Sequence, residues 1–116
     1  MPFNAPYAFM VSMDVQADKE ELFNEVYDEE HIPALLKVPG VIAVSRLKTE
    51  AGTLSLGGKD VAITGEGLPH YTAIYEIENP DVLNSSAWAK AGEEGRWAGQ
   101  VRPYTSNRSH VLRKLL

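Results

Sequence analysis

At 116 residues, with 44% hydrophobic and 23% charged residues, the chain suits one soluble domain and leaves no room for two. The absence of cysteine excludes disulfides, thiolate metal ligands and a cysteine nucleophile. A formal net charge of −5 speaks against nucleic acid as a partner, and no apolar run approaches the ~20 residues of a membrane span, so neither nucleic acid nor membrane is expected.

Met1 to Pro6 lack the basic and long apolar regions of a secretion signal, which makes the expected location cytoplasmic. The charge is unevenly spread. All 16 acids lie at or before Glu94, while five of the 11 Lys and Arg lie beyond it, so residues 1–94 carry −10 and residues 95–116 carry +5. That pattern suits a basic last strand beside an acidic helix, or a basic rim that receives an anionic small molecule.

Residues 7–15, YAFMVSMDV, read as a strand with both faces partly apolar, as in the centre of a sheet. Residues 18–30 read as a helix, with Asp18 as N-cap and Glu21 completing a capping-box pair. Leu22, Phe23, Val26 and Tyr27 form its apolar stripe, and Glu20, Glu25, Asp28 and Glu29 its solvent face. Pro33 has no N–H and crowds the preceding turn, which predicts a kink near Ile32 and a short resumption to Leu36. Pro39-Gly40 ends the helix, and 41–49 read as a second strand with Arg46 and Lys48 on one face.

Residues 50–69 suggest two short strands around Gly57-Gly58-Lys59-Asp60, a hairpin or flap. Residues 70–78, HYTAIYEIE, read as a third strand with Tyr71, Ala73, Tyr75 and Ile77 on one face. Asn79-Pro80-Asp81 is a helix start, and Ser86 is expected to cap a second helical piece through Trp88. Gly92, Gly95 and Gly99 weaken any continuation of that helix, so 96–106 are expected to be irregular before a last strand at 109–116.

The order is βαββαβ, plus the flap: an α+β, ferredoxin-like fold with a four-stranded antiparallel sheet and both helices on one face. The opposite face needs a cover, and a homodimer of face-to-face sheets is the simplest one.

Tyr27 and His31 stand four apart, on the helical face that carries Phe23 and looks at the sheet. His31 therefore points into the gap between helix and sheet, where the kink opens space. Free carbonyls, Asp28 and Glu30 favour imidazolium there, and burial opposes it. The sequence leaves both outcomes open, and His31 is equally readable as a histidine bonded to a carbonyl freed by Pro33. The three histidines, His31, His70 and His110, show no metal-ligand spacing, and no serine-hydrolase elbow is present.

Phe23-x3-Tyr27-x3-His31-x-Pro33, followed by Leu35 and Pro39-Gly40-Val41, resembles the signature of the EthD-like family, named for ethyl tert-butyl ether degradation. The family pattern usually has Trp where this chain has Tyr27, and 50–69 look like an insertion into it. The resemblance implies a homodimer forming a dimeric α+β barrel, with a cleft between sheet and helices at the motif histidine. It implies small, often aromatic or polyketide-derived ligands. It leaves the reaction open among cyclase, dehydratase, isomerase and cofactor-free oxygenase types.

Catalytic expectations are His31 as general acid/base and Tyr27 orienting it or donating to an oxygen. Phe9, Tyr71, Tyr75 and Trp88 are the expected aromatic contacts of a small apolar ligand, with Tyr7 and Trp97 as further candidates. Arg108 is expected to hold an anionic group, with Arg96, Arg102, Tyr104 and Asn107 nearby in sequence. No metal and no cofactor are expected, although some superfamily relatives bind haem through a histidine, which would cast His31 as an axial ligand. The rival to an enzyme is a non-catalytic dimeric ligand-binding or accessory protein that uses the same cleft.

Overall fold

A computed structural model describes residues 3–116 of the chain. Strands β1 (Tyr7–Val15), β2 (Val41–Lys48), β5 (Tyr71–Ile77) and β6 (Thr105–Lys114) form one sheet in the order β2-β5-β1-β6, with every neighbouring pair antiparallel. The register aligns Phe9 with Tyr75 and Leu112, and Val11 with Ala73 and His110. The α+β, ferredoxin-like architecture is the one expected from the order of elements. The segment 50–69 contains the expected hairpin, β3 (Gly52–Leu56) and β4 (Lys59–Ile63), a separate two-stranded ribbon. Gly57 and Gly58 both take positive φ, 61° and 79°, as a two-residue hairpin loop requires.

Period-two alternation decides which side of the sheet is covered. Val11 and Met13 of β1, with Tyr71, Ala73, Tyr75 and Ile77 of β5, join the core cluster, together with Phe23, Val26, Tyr27, Leu35 and Trp97 from the helical layer. Burying each large side chain here stabilises the fold by roughly 1.5–3 kcal/mol. The intervening residues stand outside that cluster. Met10, Ile74 and Val111 on the opposite face are only half-buried, and Leu47 beside them is 47% exposed.

The helical layer departs from expectation in several places. The helix expected over 18–30 is divided into a 3₁₀ turn (Ala17–Lys19), α1 (Glu20–Val26), a π turn (Tyr27–His31) and α2 (Ile32–Leu36). Asp18 is not a cap: it lies inside the 3₁₀ turn, and no side chain caps α1. Backbone bonds do that work, with Lys19 N–H donating to Gln16 O at 2.9 Å and Gln16 N–H to Tyr104 O at 3.0 Å.

The kink expected at Pro33 takes the form of the π turn. Ile32 N–H donates to Tyr27 O, one residue further back than in an α-helix. Widening the turn moves the carbonyls aside where the Pro33 ring would crowd them, so the helix passes the proline rather than stopping. Gly40, with φ 93° and its carbonyl accepting from Glu78 N–H at 2.9 Å, then turns the chain into β2.

The cap expected at Ser86 is its neighbour. Ser85 Oγ accepts from Trp88 N–H at 3.1 Å and opens α3 (Ser86–Ala91). Asn79 caps as expected, accepting from Asp81 N–H at 2.9 Å, but what it opens is a 3₁₀ helix, Pro80–Asn84. Residues 96–106 are not irregular: they hold a second π turn (Trp97–Val101), a 3₁₀ turn (Arg102–Tyr104) and the first residues of β6. β6 starts at Thr105, earlier than the expected 109, because its pairing with β1 resumes beyond a register shift at Ser12/Asp14.

Candidate functional site

The two π turns face one another. His31, the last residue of the first, lies flat on Trp97, the first residue of the second, with ring centroids 4.3 Å apart at 20°. Tyr27 meets both edge-on, at 5.1 Å from His31 and 5.0 Å from Trp97. The neighbouring residues latch the turns together. Glu30 accepts from the Arg96 N–H at 2.9 Å and from Arg96 Nε at 2.6 Å, and a further Arg96 nitrogen reaches Glu25 at 3.1 Å. The bonds from Arg96 hold the Glu30 carboxyl below its ordinary range.

Beside this stack opens a cavity of about 160 Å³. Phe9, Val11 and Met13 of β1 and Tyr75 of β5 line it from the sheet, and Tyr27, His31, Trp88 and Trp97 line it from the helical layer. Arg102, Arg108 and His110 stand around it as well. Phe9 packs edge-on against Trp88 at 5.9 Å and lies parallel to His110 at 6.1 Å, so the lining is mainly aromatic.

His31 is only 7% exposed, and its Nδ1 is buried with no hydrogen-bond partner among the described residues. Burial pushes its pKa down to about 4, Arg102 and Arg108 push the same way, and Glu93 opposes them. Burial therefore wins the contest that the sequence left open. Asp28 and Glu30 do not favour imidazolium because each faces an arginine, Asp28 with Arg46 at 2.9 Å and Glu30 with Arg96. At neutral pH the imidazole is uncharged, with one nitrogen able to accept and the other to donate. The alternative of a histidine bonded to a freed carbonyl does not occur.

Tyr27 and Tyr75 hydroxyls are 2.9 Å apart and buried. Burial raises the pKa of Tyr27, and burial together with Tyr27 raises that of Tyr75 well above the ordinary tyrosine value. Both therefore keep their protons at neutral pH. One proton bridges the pair, and the other has no acceptor among the described residues.

The site thus gathers His31, Tyr27, Phe9, Tyr75, Trp88 and Arg108, but not Tyr71. The Tyr71 hydroxyl donates to Glu20 Oε2 at 2.7 Å, and its ring lies 5.0 Å from Phe23, under the Arg46 guanidinium. It shares the sheet face of Tyr75 but stands four residues away along β5, beyond Phe23. Of the other candidates, Trp97 and Arg102 reach the cavity. Arg96 latches the turns, Asn107 donates to Asp14 at 3.0 Å, and Tyr104 lies under the Lys19 ammonium. His110 was not expected at the site, although its position in the last strand places it opposite Val11. Among the described residues no group of three His, Cys, Asp or Glu is placed to hold a metal, and no helix is long and apolar enough to cross a membrane.

No protein-family model and no curated protein matches the chain. Solved structures do, over nearly its whole length. A mutant of MhuD with two manganese protoporphyrin IX molecules bound per active site matches with a TM-score of 0.64 at 15% identity, over 96% of this chain and 95% of that one. The heme-degrader MhuD from Mycobacterium tuberculosis, with two hemes in its active site, gives 0.59 at 18% identity over 96% of each chain. An ethyl tert-butyl ether degradation (EthD) family protein from Bacillus halodurans gives 0.60 at 10% identity, over 95% of this chain and 99% of that one. At these identities the likeness is one of fold, and the EthD-like resemblance read from residues 22–41 is borne out at that level.

Proposed function

We propose that the aromatic cavity binds a small, apolar or aromatic molecule, and that His31 does proton-transfer chemistry on it. The observation that carries this reading is a buried, uncharged, unpartnered imidazole at the wall of an aromatic cavity. Leaving the His31 Nδ1 without a partner in the interior costs on the order of 1–3 kcal/mol, which the fold bears beside the cavity. His31 is then the general base, and the Tyr27–Tyr75 hydroxyl pair donates its spare proton to an oxygen that gains charge, as in an isomerisation, cyclisation or dehydration of a polyketide-like substrate.

A second reading rests on the same histidine. A conjugate acid with a pKa near 4 makes a weak base at neutral pH. That favours a binding or accessory protein in which the cavity holds its ligand without turning it over. Cofactor-free oxygenation of a quinol-like molecule has no separate observation behind it. A haem of the kind bound by MhuD has no separate observation behind it: the cavity of about 160 Å³ holds roughly one aromatic ring, and a four-pyrrole macrocycle would have to extend out of it. His31 is therefore not assigned as an axial ligand.

We further propose that two copies pack sheet to sheet over Met10, Ile74 and Val111. The β3–β4 ribbon supports this. Leu54, Leu56, Val61 and Ile63 share one of its faces, are 40–62% exposed, and have no cover in a single chain. A two-stranded ribbon is marginal in water by itself.

The two readings separate in His31→Ala with a binding compound in hand. Turnover falling by ~10²–10⁴ while affinity changes modestly supports the enzyme. Equal loss of both would remove His31 from the chemistry and leave it a binding residue, and no turnover in the wild type supports the binder. Light scattering at micromolar concentration is expected to give a dimer that Ile74→Lys converts to a monomer. A monomeric wild type would remove the sheet-to-sheet contact.

A further inference from the structure

Arg108 sits at the cavity without a carboxylate. Three other arginines have one: Arg46 has Asp28, Arg96 has Glu25 and Glu30, and Arg102 has Glu93. Arg102, the other cation of the lining, is fully engaged, with one nitrogen on both Glu93 oxygens at 3.1 and 3.0 Å and another on Gly92 O at 3.0 Å. Arg108 has only the Thr105 hydroxyl, at a long 3.3 Å. No Asp or Glu lines the cavity. A chain of net charge −5 therefore presents one uncompensated cation to its aromatic cavity. Arg108 is itself exposed, so water screens part of its charge and the remainder acts at short range on a ligand beside it.

Size narrows the ligand further. An enclosed apolar cavity of roughly 150 Å³ accommodates one benzene ring; this one has a similar volume, about 160 Å³, but opens to solvent and carries polar groups in its lining. Its rings supply flat contact surfaces, which suits one planar ring lying between them.

We propose that the cavity selects a single-ring aromatic anion, a benzoate-like carboxylate whose ring lies among Phe9, Trp88 and Trp97 and whose charge meets Arg108. This rests on the reading of the cavity as a small-molecule site and adds the ring count and the sign of the charge. The carboxylate takes a charge-assisted contact from a planar guanidinium suited to two parallel bonds.

The test uses the wild-type protein and three probes that share a ring and differ in charge: benzoate, benzyl alcohol and benzylamine. Trp88 and Trp97, the only two tryptophans of the sequence, both line the cavity, so their indole N–H signals in a heteronuclear NMR titration report occupancy directly. Benzoate is expected to shift both signals saturably and to bind about tenfold more tightly than benzyl alcohol, with benzylamine weakest. Arg108→Gln, at an exposed position, is expected to erase the benzoate preference and leave benzyl alcohol unchanged. Equal binding of benzoate and benzyl alcohol, or an undiminished preference in Arg108→Gln, overturns the anion assignment and leaves the small-molecule reading standing. No saturable shift with any of the three overturns both.

Discussion

The two π turns are built alike and were not equally visible. Each is five residues long, opens on an aromatic residue and is followed by one residue and a proline: Tyr27–His31, Ile32, Pro33 in one, Trp97–Val101, Arg102, Pro103 in the other. Each closes on the same bond, the next residue's N–H donating five back, Ile32 to Tyr27 and Arg102 to Trp97. They differ in surroundings. The first interrupts a helix with strong apolar periodicity, so its proline stands out as a disturbance. The second comes after Gly92 and Gly95 and contains Gly99, and those glycines suggest an irregular segment. A proline stands two residues past both turns, with helical periodicity around the first and none around the second.

If the pair of turns works as a unit, the largest effect belongs to the ring between them. Trp97→Ala removes a side chain only 2% exposed and uncovers His31, and is expected to cost about 3–5 kcal/mol in chemical denaturation. A cost under about 1 kcal/mol would mean that the turns do not depend on each other.

Protonation breaks the same stack from the other side. The His31 pKa is about 4 in the folded state and near its ordinary 6.5 when unfolded. Between those values the unfolded chain binds the extra proton. The His31 contribution is thus complete above pH 6.5 and is lost as pH falls toward 4, by up to about 3 kcal/mol. In His31→Phe, which keeps an aromatic ring against Trp97, that part of the slope should vanish from a pH series of denaturation curves.

The approach to the second turn should be sensitive on a smaller scale. Gly95 has φ 69° and lies against the Glu30 carboxylate, so Gly95→Ala is expected to cost about 1–2 kcal/mol. The smallest effect distinguishes the prolines. Pro33→Ala restores an N–H that can bond within the helix. It should change stability by under about 1 kcal/mol while slowing amide exchange over residues 32–36. Unchanged exchange would show that tertiary packing, not Pro33, holds the first turn wide.

Much of the fold was legible because its signals are local. Alternation marks the strands, Asn79-Pro80 marks a helix start, and Gly57-Gly58 marks the hairpin. Spacing also placed Tyr27 and His31 on one inward face. What the sequence hid is long-range. Nothing in residues 27–31 says that Trp97 lies against His31, or that Glu30 pairs with Arg96 just ahead of the partner turn. His110 at the site and Tyr71 away from it are consequences of strand register and of where Phe23 divides the sheet face, and neither is set by neighbours in sequence. The outcome for the His31 charge needed the same information. Its acidic neighbours argue for imidazolium until their own arginine partners are known.

This fold keeps a neutral imidazole with an unpartnered Nδ1 at the wall of an aromatic cavity. An NMR titration of the three histidines, with His31 assigned by comparison with His31→Phe, tests it most directly. The His31 ring signals are expected to stay near their neutral position from pH 8 to pH 5 and to titrate near 4. An ordinary midpoint near 6.5 would contradict it.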